Sequence, residues 1–284
     1  MEKQNNKEIT VQSEPIVLSK HEQAALEAIG GNSWKKYGRV AMAALGGVPW
    51  VGSVLSAAAT LSSENEQGAT NQIIFLWVQE HEQKLKELGL TLSDIFERFS
   101  SFGEEINTRL ESTEYLTLVR KTFRQWDQSE TLEKKAMLKK LITNSGVITL
   151  AQDDLVRLFL EWIEKYHEFH FTVIREIYNT PGISRGAIWQ NIRGEYPRED
   201  SAEADLFRLL IRDLSTGGVI RQSKETDFDG NFLRKVTPKR RSPSSSTLES
   251  SFDEYKPYVL TDLGSQFVHY VMEDVSLQID SKEK

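Results

Sequence analysis

Three features of the 284-residue sequence predict a mainly α protein: an N-terminal helical bundle with a long amphipathic helix, then a smaller α+β section. Apolar residues from Ile74 to Ile106 recur at steps of three and four once His81 takes one seam position, the period of one helix face. The uncharged run from Val40 to Ser63 is Ala-rich and broken by Gly46, Gly47, Pro49 and Gly52, which suits short bent helices. Short β-branched runs around an Asp229-Gly230 turn occur only after residue 218.

The expected units follow in chain order. Residues 1–33 form a polar arm without the apolar stretch of a secretory signal, so a cytoplasmic chain starting at Met1 is expected. Residues 34–67 form a Gly/Pro-broken apolar hairpin. Its 24 uncharged residues, Val40 to Ser63, would make about 36 Å of helix. That length matches a bilayer, but small residues outnumber large apolar ones and the central glycines oppose one straight span. Residues 68–169 form a bundle or coiled-coil region that opens with one helix from about Gly68 to Leu110. Its seam runs through Leu85, Leu88, Leu92, Ile95, Phe99 and Phe102, the expected self-association or packing stripe. Two shorter helices follow, Ser112 to Trp126 and about Glu130 to Asn144, with Asp127 and Glu130 as a capping box. Asp153 is then expected to cap a helix whose Leu155, Leu158, Phe159, Trp162, Ile163 and Tyr166 share one face.

Residues 170–284 read as a winged helix-turn-helix with a long basic, Ser-rich wing. Phe171 to Tyr178 gives a first helix, Ser184 caps a second, and residues 201–215 form a third that Gly217 and Gly218 stop. A strand from Val219, a turn at Asp229 and Gly230, and a return over Asn231 to Val236 start the wing. A last strand and a helix capped near Thr261 complete the unit.

Composition narrows the chemistry. There is no cysteine, which excludes disulfides, thiolate metal sites and cysteine nucleophiles. The formal charge of −7 has the wrong sign for coating nucleic acid with the whole surface. Residues 171–284 carry 16 Lys and Arg against 18 Asp and Glu. The helix that would enter a major groove begins among Glu199, Asp200, Glu203 and Asp205, where base-reading proteins place Arg, Lys, Asn or Gln. The candidate phosphate contacts are Arg185, Arg193, Lys235, Lys239, Arg240 and Arg241. His167 and His170, with Glu164 nearby, are the only close histidines, and no third ligand stands at a recognisable spacing. Phosphate-loop, dinucleotide, metalloprotease and nucleophile-elbow motifs are absent. No catalytic residue, metal or cofactor is therefore expected.

The ending YVLTDLG…FVHYV, Tyr258 to Val271, resembles the last strand and helix of bacterial winged-helix proteins, including the multiple-antibiotic-resistance type regulators. The order GGVPWVGSVLSAAATLSSENEQ, a long charged helix, ESTEYLTLVRKTFRQWDQSETLEKKAMLKKLITNSG and a winged helix resembles a loose group of bacterial phage-defence and abortive-infection proteins. That resemblance covers most of residues 40–270. It implies a self-associating, homo-oligomeric, non-enzymatic defence protein whose winged helix serves as a sensor or docks a protein partner. It also implies conditional activity at the inner membrane through residues 40–61. The expected lipid contacts are Val48, Trp50, Val51, Val54 and Leu55, with Lys35, Lys36 and Arg39 facing an anionic surface. The alternative reading is a DNA-binding winged-helix regulator with an N-terminal helical oligomerisation domain.

Overall fold

The computed structural model describes residues 36–53, 68–104, 106–146, 152–223, 250–253 and 256–272. The fold is mainly helical with one small antiparallel sheet. Two compact units meet between Glu97 and Arg98, inside a helix. The expected turn at Asp229 and Gly230 and return strand at 231–236 lie outside the described residues.

In the first unit, helix α1 (Gly38–Leu45) buries Val40, Ala41, Ala43, Ala44 and Leu45. It stops at Gly46, and a new helical turn begins at Pro49, where the missing N–H is no loss. Val48 and Val51 are buried beyond the bend. Helix α2 (Gly68–Ser101) supplies the packing partner: Tyr37 stacks on Phe96 at 5.3 Å, and Trp50 meets His81 at 5.1 Å. Leu88, Leu92 and Ile95 are buried in this unit, so the stripe is used within the chain. Leu85 is half-buried. Among the described residues, no helix is long and apolar enough to cross a membrane.

The helix expected to run to Leu110 is instead two. Gly103 has φ +83°, a left-handed conformation that ends α2, and α3 (Asn107–Leu110) starts afresh. Phe99, buried, and Phe102, half-buried, belong to the second unit, where Phe99 meets the Tyr115 ring at 6.4 Å.

Helix α4 (Thr113–Gln128) starts at Ser112, whose hydroxyl accepts from the Tyr115 N–H at 3.3 Å. Helix α5 (Leu132–Ser145) is capped by Thr131, not by Asp127 and Glu130: α4 runs to Gln128, which absorbs Asp127 into its last turn. Helix α6 (Asp153–Lys165) has Gln152 at its cap position. The Asp153 carboxylate is instead engaged by the Arg109 guanidinium, 44 residues away. Its buried face is Val156, Phe159, Leu160, Trp162 and Ile163; Leu155 and Leu158 are half-buried, a rotation from the expected face.

Tyr166 breaks the helix in an extended conformation, and α7 (Glu168–Asn179) continues the chain. Then come β1 (Ile183–Ser184), α8 (Arg185–Arg193), α9 (Ala202–Thr216), β2 (Ile220–Gln222), β3 (Pro257–Leu260) and α10 (Asp262–Phe267), which runs into a π-helical turn, Val268–Met272. Ser184, Ser201 and Thr261 cap α8, α9 and α10 through their hydroxyls. The sheet order is β1-β3-β2, both pairs antiparallel, with Ile183 opposite Tyr258 and Ile220 opposite Leu260.

The α4–α6 helices and these later elements share one core. Phe267 packs against Phe159 at 5.5 Å, Trp162 at 5.4 Å and Phe171 at 6.3 Å. The buried Asn144 amide donates to the Tyr270 carbonyl at 2.8 Å, supplying a partner that the wider π turn needs. At the α6–α7 break the His167 N–H donates to His170 Nδ1 at 3.1 Å, and the His170 ring stacks on Tyr166 at 5.0 Å. His170 Nε2 and the Tyr166 hydroxyl are buried without hydrogen-bond partners. Gly217 lies so close that a Cβ there would sit 2.0 Å from that hydroxyl.

Two measurements check this packing. A Cβ on Gly264 would stand 2.1 Å from the Val219 carbonyl oxygen, which is backbone and cannot step aside. Gly264→Ala should therefore destabilise by about 2 kcal/mol in urea unfolding, whereas Gly38→Ala, with nothing within 4 Å, should not destabilise. Burial first, and then neighbouring His167, lower the His170 pKa to about 4, against the pull of Asp213. An unfolded histidine takes up its proton near pH 6.5, so the stability of the neutral, buried ring is complete above that pH and is lost between 6.5 and about 4. His170→Gln should flatten this acid limb in urea midpoints measured from pH 7 to 4; an unchanged limb would assign it to other groups.

Candidate functional site

Helix α9 has two unlike faces. Ala204, Phe207, Leu210, Ile211 and Leu214 are buried. On the opposite side Leu206 is 47% and Leu209 40% exposed, in line with exposed Ala202 and Thr216 and half-buried Asp213. The spacing 202, 206, 209, 213, 216 alternates four and three residues, so these positions form a single stripe. Exposed Asp205, Arg208 and Arg212 run along one edge of it.

The first turn of α9 is tied to a distant segment. Glu199 accepts from the Ser251 N–H at 3.0 Å and from the Ser250 hydroxyl. Arg208 joins Asp205 at 2.7 Å, Glu199 at 3.4 Å and the Ser251 hydroxyl at 2.5 Å. Phe252 fills an aromatic slot, stacked on Phe207 at 5.8 Å and edge-on to Trp189 at 5.2 Å. Burial pushes the Glu199 carboxyl up, but the Ser250 and Ser251 hydrogen bonds and Arg208 outweigh it and hold it below its usual value. Arg198 lowers Asp200, and the backbone amide of Glu203, with the Ser201 hydroxyl, lowers Glu203. These groups are ionised at neutral pH, and the start of α9 is an acidic surface.

Of the candidate phosphate contacts, the two described ones, Arg185 and Arg193, stand at the two ends of α8. Arg185 Nε donates to the Tyr258 hydroxyl at 2.7 Å, and its guanidinium lies 5.2 Å from that ring's centre, which anchors α8 to β3. Arg193 is exposed, with its guanidinium 5.0 Å from the Phe169 ring centre. Lys235, Lys239, Arg240 and Arg241 lie outside the described residues. Of the candidate lipid contacts, Val48 and Val51 are buried, Trp50 is half-buried with the Lys84 ammonium 6.0 Å from its ring, and Lys36 and Arg39 are exposed. Lys35, Val54 and Leu55 lie outside the described residues.

No group of three metal-ligating side chains occurs among the described residues, and His170 Nδ1 already accepts a backbone hydrogen bond. His167, Glu164 and Lys134 do share a cleft of about 480 Å³ with Gln125, Glu130 and Glu168. The Lys134 ammonium donates to the Glu164 carbonyl at 3.2 Å. Burial lowers the Lys134 pKa, against the pull of Glu168, Glu164 and Glu130. The cleft is assembled from the ends of α4 and α6 and the starts of α5 and α7, positions no local sequence pattern connects. The exposed leucines of α9 do carry a sequence signal: Leu206 and Leu209, three apart, fall off the 204, 207, 211, 214 spacing of the buried face. No protein-family model, curated protein or solved structure matches the chain.

Proposed function

We propose that the elements from α7 to α10 form a winged helix whose third helix, α9, docks a protein instead of reading nucleic acid. The observation that carries this is the outer face of α9, where Leu206 and Leu209 stand exposed behind an acidic first turn. Exposed leucines on a helix face suit a partner's apolar groups. Base edges and phosphates require donors and positive charge; of the two arginines on this edge, Arg208 is engaged by Asp205, Glu199 and Ser251, which leaves Arg212 against an acidic first turn. The resemblance to bacterial phage-defence proteins supports reading this docking module as part of a non-enzymatic, abortive-infection type protein.

The same reading gives residues 40–61 a conditional role at the membrane. The burial of Val40, Ala41, Ala43, Ala44, Leu45, Val48 and Val51 supports a resting state in which the apolar side is held inside the first unit. Release would expose it beside Lys36 and Arg39, which favour an anionic leaflet by about 1 kcal/mol each.

Two experiments test these roles. With a photo-reactive benzoyl-phenylalanine in place of Leu206, illumination in cells should give adducts that nuclease leaves intact and protease removes. Adducts that nuclease trims to the bare chain would establish the nucleic-acid alternative. For the membrane role, Val51→Asp should abolish leakage of anionic vesicles by the activated protein, with its thermal stability measured alongside. A parent that leaves such vesicles intact in phage-infected extracts rules the role out.

A further inference from the structure

The outer stripe of α9 is self-complementary, and we propose that its partner is a second copy of this chain, α9 lying antiparallel on α9 about a two-fold axis. This rests on the docking reading of α9 and names its occupant. With the axis midway between positions 207 and 208, Leu206 of one copy meets Leu209 of the other, and the exchange repeats across the axis. Both leucines, 47% and 40% exposed, are then covered. Charges agree with the same register. Along the edge that carries Asp205, Arg208 and Arg212, two-fold symmetry sets Asp205 of one copy within about 3 Å, along the helix axis, of Arg212 of the other, twice over.

Asp205 bonds Arg208 within its own chain, and among the described residues no ion pair holds Arg212, so Arg212 brings an uncommitted positive charge to that acid. In this register Asp213 lies opposite Ala202 of the other copy. A parallel arrangement loses the Asp205–Arg212 exchange, because a two-fold axis running along the helices sets the two charged edges on opposite sides of the contact. The helix is 15 residues, about 22 Å, so the contact falls in the small, reversible class of interfaces.

Sedimentation of the full chain over a concentration series reaching about 1 mM, the range that a small interface demands, tests the pairing. The parent should form a dimer, and Leu206→Glu should weaken association at least tenfold. Asp205→Arg and Arg212→Asp should each weaken it, and the two together should restore it, because reversing both charges preserves every cross-pair in a two-fold dimer. All three positions are on the outer side of α9, and thermal melts confirm that the variants fold. A parent that stays monomeric, a Leu206→Glu variant that associates as before, or a double variant no better than the singles overturns the pairing. The docking reading is judged separately by the adduct formed at position 206. An adduct with a different protein alongside a monomeric parent sinks self-pairing alone, and a nuclease-sensitive adduct sinks both.

Discussion

Phe267 is the residue on which the second unit depends. Its ring is completely buried and packs at once on α6 through Phe159 and Trp162 and on α7 through Phe171. A ring of this size with three aromatic neighbours contributes area and preferred edge-on geometry that no single polar contact of the fold matches. Everything around it can be read as a way of delivering that ring. Thr261 starts α10 with its hydroxyl on the Gly264 N–H, and Gly264 has no side chain because α10 lies directly against the Val219 carbonyl. Asn144 and Lys140 then hold the carbonyls of Tyr270 and Met272 beyond it. The sheet is secondary to this arrangement: β3, its central strand, leads the chain into α10.

The sequence made the helical class legible because the apolar period is strong wherever one helix face is buried, as at Leu88, Leu92 and Ile95. Caps given by a hydroxyl at a chain turn, such as Ser184 and Thr261, were equally visible. What failed was choice among neighbours with equal local merit. Asp127, Glu130 and Thr131 are all acceptable cap residues, and the length of α4 decides between them. Asp153 reads as a cap until Arg109, 44 residues distant, takes its carboxylate. The long helix expected to reach Leu110 ends instead before Gly103, where a left-handed turn is made. Spatial pairing of residues far apart in sequence leaves no periodic trace.

The same distinction governs the candidate site. Acidity at the start of α9 is a local property and could be read off residues 199–205. The clasp that binds it to Ser250, Ser251 and Phe252 joins groups about fifty residues apart and could not. That clasp changes the meaning of the charges: Glu199 and Arg208 serve the fold, while Leu206, Leu209 and Arg212 stay on the exposed surface of α9.

The contact between Gly217 and Tyr166 bears on how this sequence can change. Any side chain at 217 collides with the tyrosine hydroxyl at 2.0 Å, so the glycine is fixed for as long as the tyrosine stays. The tyrosine is not fixed in return, since among the described residues its hydroxyl has no hydrogen-bond partner to lose. Replacing it by phenylalanine leaves a Cβ at 217 facing contacts of 3.0 and 3.3 Å, which small shifts absorb. The two substitutions are therefore accessible in one order and barred in the other. Lineages that carry a larger residue at 217 must first have passed through a change at 166, an evolutionary ratchet made of one oxygen atom.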